Sequence, residues 1–371
     1  MQPITRRQFL VSAGGSVLTL ILTSCAPQLA ARQAAAQSAA PSSTNTPIAN
    51  TPVPAVTATQ PAATLVATSA AALNLPPAPT RIIITPQTEL YQQNYDATPQ
   101  VDLKNWNLTI DGLVDAPLKV NLDTIKALPK YDEVRTLECI GNPVGGSLIG
   151  NIEWNGIHLK DLLAKAKIDP KATHVNFDAL DGYYTSVELD WVMQDGTMLV
   201  YGLNGEPLAA GHGFPLRINM PGLYGQKMPK WITHIQFTDK PVRGYWESQG
   251  WSNVADVRTN STIDFPTGNT KLPVGTVPIY GVAFAGKKKI VKVEVNLGDD
   301  AWQAAKLLPG QTPLVWTQWS LDWPTQPGEY KLEVRATDET GFVQNVEASG
   351  FLDGSYPNGT NSIFSTAVRV E

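Results

Sequence analysis

The chain has 371 residues, 43% of them hydrophobic, so it can bury the cores of about two domains. Its formal net charge is −5, and no long basic run occurs. Nucleic acid is therefore excluded as the expected partner, because neutralising its phosphates requires clustered Lys and Arg.

Residues 1–25 predict an export signal. Arg6 and Arg7 precede an apolar stretch from Phe9 to Leu22, which is short for a membrane span. Paired arginines are typical of the Tat route; the alternative is a Sec signal that happens to contain two arginines. The stretch ends in Leu-Thr-Ser-Cys, which resembles a lipobox, so we expect lipidated Cys25 to anchor an exported, extracytoplasmic protein to the membrane.

Residues 26–80 predict a disordered tether. This stretch is rich in Ala, Pro, Ser, Thr and Gln, contains no aromatic residue and carries one charge, Arg32. A segment of this composition cannot bury enough apolar surface to fold.

Residues 81–270 predict an α+β domain. Residues 121–130 place apolar side chains on one face of a short helix, and residues 158–168 predict a second helix. Residues 174–180 predict a strand, and Asn204-Gly205 predicts the type I′ turn of a hairpin.

Residues 271–371 predict an all-β, immunoglobulin-like sandwich. Two segments alternate strictly between apolar and polar residues, with Gly and Pro turns around them, which favours antiparallel strands with one buried face. The side chains expected to face inward are Val291, Val293, Val295 and Leu297 in the first segment, and Tyr330, Leu332, Val334 and Ala336 in the second.

Cys139 is the only cysteine beyond residue 25. Three roles are open to it: a small buried hydrophobe, the nucleophile of a Cys-His pair, or a soft metal ligand. None of the four histidines forms a zinc-type spacing with it, and one cysteine cannot build a zinc or iron–sulfur cage. A lone thiol in an oxidising compartment requires something that protects it.

The segment 211–237 combines positive charge with Gly and Pro. His212, Arg217, Lys227 and Lys230 lie in it, among glycines that let a ligand approach the backbone. Such donors suit a phosphate or another anion. The alternative is a solvated basic loop.

Several blocks, taken in order, resemble the sulfite oxidase family of molybdopterin enzymes. They are Cys-x-Gly-Asn at 139–142, Asn-Gly-Glu-Pro-Leu at 204–208, His-Gly-Phe-Pro-Leu-Arg at 212–217 and Lys-Trp at 230–231. The resemblance runs from about Leu90 to the C-terminus. It implies an α+β molybdopterin-binding domain followed by a sandwich of the kind that dimerises in the family, so a homodimer is one expected assembly.

The resemblance also implies roles for individual residues. Cys139 occupies the position of the thiolate that binds molybdenum together with the dithiolene of one pyranopterin. Asn94 and Tyr95 match a cofactor-contacting Arg-Asn-His-type motif, in which Gln93 replaces the arginine. Further cofactor contacts are expected from His212, Arg217 and Lys230, which match family positions, and from Gln226 and Lys227 in the same loop.

The chain departs from the family at positions near the substrate. Sulfite-oxidising members carry an arginine soon after Cys-x-Gly-Asn, where this chain has Pro143 and Val144, and a tyrosine over the metal, near the place of Trp251. These changes remove charge or a hydroxyl, so we expect that sulfite is not the main substrate. Arg258 and Arg243 could restore charge, although a surface salt bridge is favoured for each.

The resemblance implies a molybdenum oxidoreductase that moves an oxygen atom to or from a small-molecule substrate. We expect Cys139, Trp251 and Arg258 at the reaction site. Because the chain contains no Cys-x-x-Cys-His motif, electrons would pass to an external cytochrome c or membrane haem protein. One alternative is a reductase of sulfoxide-like substrates on the same centre, and another is a cofactor-free binding or scaffolding lipoprotein.

Overall fold

A computed structural model describes residues 74–164, 166–299, 301–345 and 354–371, which belong to one compact unit. The expected export signal, Cys25 and residues 26–73 of the expected tether lie outside these ranges. Within them, no helix has both the length and the apolar character needed to cross a bilayer.

The first part of the described chain mixes strands with very short helices. In chain order the elements are β1 (Leu108–Gly112), β2 (Leu118–Val120), α1 (Leu122–Lys126), β3 (Tyr131–Glu138), β4 (Ile149–His158), α2 (Leu159–Leu163), β5 (His174–Ala179), β6 (Tyr184–Glu188), α3 (Leu189–Met193), β7 (Met198–Leu203), β8 (Glu206–Pro207), β9 (Arg217–Asn219), β10 (Ile232–Thr238) and α4 (Tyr245–Ser248). The expected mixture of helix and strand is present, but strands dominate it.

These strands form two sheets. One has the order β2-β1-β10-β5-β6, in which β1 and β10 are parallel. The other has the order β3-β4-β7-β8, with β9 paired to β7. One core of buried apolar side chains connects both sheets. The second sheet matters for function, because Cys139 directly follows β3 and Arg217 begins β9.

Local sequence signals explain several of these elements. Asn121 caps α1 by accepting a hydrogen bond from the amide of Thr124, while Leu122 and Ile125 are buried on the inner face of α1. The β7–β8 turn has Asn204 at φ 54° and Gly205 at φ 79°, as a type I′ turn requires. The predicted turn is confirmed, and the helix predicted over 121–130 is present but shorter, over 122–126.

The remaining strands build a two-sheet arrangement. They are β11 (Asn260–Phe265), β12 (Lys271–Leu272), β13 (Gly275–Phe284), β14 (Ile290–Asn296), β15 (Trp302–Ala304), β16 (Lys306–Leu308), β17 (Thr317–Thr325), β18 (Gly328–Asp338) and β19 (Phe364–Val370). The sheets have the orders β11-β13-β17-β16 and β12-β19-β18-β14-β15, and a second core packs side chains of both. The immunoglobulin-like assignment is consistent with this arrangement and stays a prediction.

The side chains that face inward in the sandwich agree with the sequence pattern except at Val291. Leu332, Val334 and Ala336 are fully buried as expected, but Val291 is 52% exposed. The prediction for Val291 was wrong because the pairing of β14 with β18 shifts register between Ile290 and Lys292, which turns Val291 outward. The domain boundary at 270 stays a prediction, but β11 lies before it and already pairs with β13.

Candidate functional site

The Cys139 loop, residues 139–148, connects β3 to β4 and is held by short-range hydrogen bonds. The amide of Cys139 donates to the carbonyl of Leu148 at 2.9 Å, and its carbonyl accepts from the amide of Asn142 at 2.9 Å. The side chain of Asn142 accepts from the amide of Leu148, also at 2.9 Å. The Asn of the Cys-x-Gly-Asn motif therefore fixes the loop that presents the half-buried thiol.

Glu138, which precedes the cysteine, is a buried carboxyl that the sequence patterns did not single out. Its side chain is 1% exposed and accepts one hydrogen bond from Asn142 and one from Asn260, each at 3.0 Å. Burial raises the pKa of Glu138 to about 7, and the two amides oppose this shift. A buried carboxyl group with both oxygens engaged is thus hydrogen-bonded to the Cys139 loop.

Trp251 lies against this loop. A Cβ atom placed on Gly141 would be 3.5 Å from Cη2 of Trp251 and 3.9 Å from Sγ of Cys139. The absence of a side chain at Gly141 lets the indole and the thiol approach the same space. Tyr356 packs edge-on against the indole with ring centroids 5.1 Å apart. This places Trp251 where a wall of the reaction site is expected.

Arg217 is a buried cation. It is 4% exposed, lies 5.1 Å from the ring centroid of Trp154 and donates from Nη1 to the carbonyl of His212 at 3.1 Å. Its Nε is buried without a hydrogen-bond partner, and burial lowers its pKa to about 10. Among the described residues, no carboxylate forms an ion pair with it.

Two further basic side chains lie beside Arg217. Lys230 donates to the side-chain oxygen of Asn94 and to the carbonyl of Gly211, the latter at 2.9 Å. Burial, and then the charge of Arg217, lower the pKa of Lys230 to about 7. The same two causes lower the pKa of His212 to about 4, so His212 is neutral near pH 7, with Nε2 2.9 Å from the carbonyl of Gln87.

This cluster has the properties of an anion site. A buried cation with an unpartnered donor is costly unless a negative group repays its desolvation. Gly213, at φ 110°, lets the side chains of Lys230 and Arg217 pack on either side of it, since a Cβ there would lie 3.1 Å from Cβ of Lys230 and 3.2 Å from Cβ of Arg217. The donors therefore fit the phosphate-bearing end of molybdopterin.

Tyr91 connects the cation cluster to the Cys139 loop, and no sequence signal pointed to it. Burial raises its pKa, the negative charge of Cys139 raises it further, and Arg217 lowers it. A Cβ on Gly225 would be 3.2 Å from the Tyr91 hydroxyl and 3.6 Å from the carbonyl oxygen of Glu138. The phenol thus lies within electrostatic range of both the thiol and the buried guanidinium.

The other expected cofactor residues lie close by but are differently engaged. Gln226 donates to the carbonyl of Ser252 at 2.9 Å, and its Oε1 is buried without a partner. Tyr95 packs edge-on against Tyr245, with centroids 4.5 Å apart, and lies 6.2 Å from the ring of Tyr183. Their cofactor contacts stay predictions.

Lys227 is committed to other partners. It is 1% exposed, pairs with Glu247, and donates to the carbonyl of Ser186 at 2.9 Å and to the hydroxyl of Thr185 at 3.3 Å. Its three N–H groups therefore have acceptors within the protein, and this arrangement leaves none for a cofactor.

The two arginines that could restore charge differ in position. Arg243 donates to the carbonyl of Glu247 and lines, with Lys227, a cleft of about 500 Å³ whose lining does not include Cys139. Arg258 is half-buried; its amide donates to the hydroxyl of Tyr224 at 3.1 Å. Its carbonyl accepts from Asn260, which also donates to Glu138, so the backbone of Arg258 is connected to the Cys139 loop through two side chains.

Known proteins resemble this chain in sequence and in fold. The family model described as the oxidoreductase molybdopterin binding domain matches residues 95–246. The uncharacterized oxidoreductase YuiH of Bacillus subtilis (strain 168) is 37% identical over 150 residues, which cover 40% of this chain and 74% of that protein. Sulfite oxidase of Arabidopsis thaliana is 31% identical over 274 residues, which cover 60% of this chain and 70% of that protein.

This chain belongs to the sulfite oxidase family. A solved structure of similar fold, the sulfane dehydrogenase SoxCD from Paracoccus pantotrophus, has a TM-score of 0.68 at 25% identity and covers 78% of this chain and 83% of its own. Sulfite oxidase family members are molybdopterin-dependent oxidoreductases, so this protein is an oxidoreductase and molybdopterin is its cofactor. The chain spans 55% to 57% of the length of the mitochondrial sulfite oxidases that it resembles.

Proposed function

We propose that the protein transfers an oxygen atom to or from a small-molecule substrate, with the thiolate of Cys139 as the protein ligand to molybdenum. The observation that carries this proposal is the common position of the thiol, Trp251 and Tyr91 at the loop after β3, within electrostatic range of the buried, unpaired Arg217. A thiolate is a soft ligand that suits molybdenum. Ligation to the metal would also protect the Cys139 thiol from oxidation in the extracytoplasmic compartment that we propose.

Each residue of the chain has a role in this proposal. Arg217 and Lys230 would bind the anionic end of the cofactor, and neutral His212 would orient it by a hydrogen bond. Asn142 holds the Cys139 loop, and Trp251 shields the reacting space from water. The molybdenum centre, when bound, supplies the two-electron chemistry of oxygen-atom transfer.

We infer that the substrate is neutral or larger than sulfite. Pro143 and Val144 follow Asn142 in the Cys139 loop and offer no positive charge, while Trp251 and Tyr356 present aromatic surface. A small dianion needs fixed cations to repay its desolvation, whereas an organic sulfoxide gains from an aromatic face. This observation favours a reductase of sulfoxide-type substrates as the second candidate function, beside oxygen-atom transfer to a substrate. Membership of an oxidoreductase family argues against the third alternative, a cofactor-free scaffold.

The cellular setting of the enzyme is also a proposal. Electrons would pass to an external cytochrome c or membrane haem protein, since the chain has no Cys-x-x-Cys-His motif. The paired arginines and the lipobox-like Cys25 support Tat export and a lipid anchor on the outer side of the membrane. Homodimerisation through the sandwich follows from the family resemblance alone.

The test is metal analysis and kinetics on protein purified after export. We expect molybdenum in the parent protein and turnover of an organic sulfoxide with a reduced dye as electron donor, at a rate well above the oxidation of sulfite with a dye acceptor. Cys139→Ser should fold but lose activity and the sulfur-rich electronic signature of the metal. Full activity in this variant would contradict the assignment of the thiolate ligand.

A further inference from the structure

The Glu138 carboxylate connects the Cys139 loop to the second half of the fold. Its Oε1 accepts from Nδ2 of Asn142, within the loop, and its Oε2 accepts from Nδ2 of Asn260, the first residue of β11. Both hydrogen bonds are 3.0 Å long, and the side chain is 1% exposed. One buried side chain thus connects the Cys139 loop to a residue that lies 122 positions further along the chain.

Both amides have fixed orientations. Asn142 must point Nδ2 at Glu138, because its Oδ1 accepts from the amide of Leu148 at 2.9 Å. Asn260 must do the same, because its Nδ2 also donates to the carbonyl of Arg258 at 3.0 Å. Position 138 therefore requires an acceptor on each side. A carboxylate has two acceptor oxygens, whereas an amide of the same shape has one acceptor and one donor.

Stability alone does not account for this arrangement. Burying a carboxyl is costly, and two neutral amides repay that cost only in part. An apolar residue of similar volume would pack at this position without the cost. What an apolar residue could not do is hold Asn142, and through it the Cys139 loop, in one geometry.

We propose that Glu138 is a positioning residue that fixes the direction of the Cys139 thiol through Asn142, with Asn260 of β11 as its anchor. The inference rests on the proposed function in so far as the thiol is a metal ligand. It adds a specific claim: the precision of the ligand depends on a contact from the sandwich half of the chain.

The test is the isosteric substitution Glu138→Gln in the full chain carrying Cys25→Ala, so that Cys139 is the only thiol. In molybdenum-free protein, the rate of alkylation of Cys139 by iodoacetamide should change about threefold or more, because a Gln side chain can accept from only one of Asn142 and Asn260 and no longer ties the loop to β11. In loaded protein, the Mo(V) electron paramagnetic resonance spectrum should shift, and kcat should fall about tenfold at nearly unchanged KM, the size expected for one charged hydrogen bond.

A compensating variant separates positioning from general damage. In Glu138→Gln combined with Asn260→Asp, the new carboxylate accepts from the new amide, while the Gln oxygen still accepts from Asn142. The aspartate cannot donate to the carbonyl of Arg258, so that hydrogen bond of Asn260 is lost. We therefore expect the alkylation rate and the resonance spectrum to return part of the way to the parent values. The matched control is Glu294→Gln, which removes a buried carboxylate bonded to Arg335 at 3.0 Å in the sandwich and should leave both readouts unchanged.

Unchanged alkylation and an unchanged spectrum in Glu138→Gln would overturn the proposal. If that variant does not fold, Asn260→Ala removes only the anchor and must show the same changes; its silence would overturn the proposal equally. Alkylation is measured without metal, so it does not depend on Cys139 being a ligand. Retained activity in Cys139→Ser would therefore refute the proposed function. The alkylation rates of Cys139 would still test whether Glu138 positions the thiol.

Discussion

Arg217 and Lys230 approach each other across Gly213, to within 3.2 Å and 3.1 Å of the place that a Cβ on this glycine would take. The first carbon atoms of two basic side chains lie on either side of this glycine, and among the described residues no carboxylate is paired with Arg217. Their mutual repulsion contributes to the low pKa of Lys230, at about 7. A cluster of this kind is stable only when other parts of the fold enforce it, and it gains stability when an anion binds.

Removing the guanidinium should release the cofactor. A charged hydrogen bond is worth about 1.5–3 kcal/mol, so Arg217→Ala should weaken cofactor retention about tenfold or more. Molybdenum and pterin content after extended dialysis measures this. Arg335→Ala is the control, since Arg335 contacts Glu294 and Trp302 in the sandwich. Equal retention in Arg217→Ala and the parent would refute the role.

Gly213→Ala should damage both stability and the anion site. A non-glycine residue at such a positive φ costs about 1–3 kcal/mol, and here the added methyl group also meets two side chains. Gly205→Ala is a matched control, because Gly205 also has a positive φ, at 79°, but nothing lies within 4 Å of its Cβ position. Urea unfolding should show both losses, whereas cofactor content should fall only in Gly213→Ala. A fall of cofactor content in both variants would contradict the assignment.

The pKa of Lys230 predicts how stability depends on pH in cofactor-free protein. Because its folded pKa is about 7 and its ordinary value is 10.5, the unfolded chain binds one more proton between these limits. The unfolding free energy should therefore rise with pH from about 7 to 10.5, relative to Lys230→Met. Urea titrations of both proteins across this range measure the difference. Parallel pH profiles for the two proteins would show that the pKa of Lys230 is not lowered in the folded state.

Sulfite should be a poor substrate, with kcat/KM well below about 10⁶ M⁻¹s⁻¹ measured with a cytochrome c acceptor. A specificity constant at or above that range would return the protein to ordinary sulfite oxidation. Arg258 would then be the residue expected to supply the positive charge that binds sulfite.

The aromatic wall should matter more for an aryl sulfoxide than for sulfite. An aromatic contact is worth about 0.5–1.5 kcal/mol, so Trp251→Ala should raise KM for methyl phenyl sulfoxide several-fold and leave KM for sulfite nearly unchanged. Trp302→Ala is the control, because Trp302 lies in β15 and packs against Arg335 of the sandwich. An equal change for both substrates would mean that Trp251 supports the loop instead of contacting substrate.

Cys25→Ala tests the lipid anchor. The variant should still be exported, but it should appear in the soluble fraction, because no acyl chains would hold it to the membrane. Continued membrane attachment would indicate an uncleaved apolar segment instead.

Local signals in the sequence were sufficient for local structure. The cap of α1 at Asn121 and the Asn204-Gly205 turn each depend on interactions within a few residues, so a short window contains their cause. Val291 shows the limit of such patterns. The alternation continued through it, but a register shift against β18 turned its side chain to solvent.

The sequence by itself determined the composition of the site, because Cys139, His212, Arg217 and Lys230 stand in motifs whose residue types suit a soft metal and an anion. Only the tertiary structure decided which neighbours complete the site. Tyr91 comes within electrostatic range of the thiol from another segment, and Asn260 donates to Glu138 across 122 positions. Glu247 forms an ion pair with Lys227. The physical reason is that burial and pairing decide what a charged side chain does, and both are set by segments that fold over it from far away in the chain.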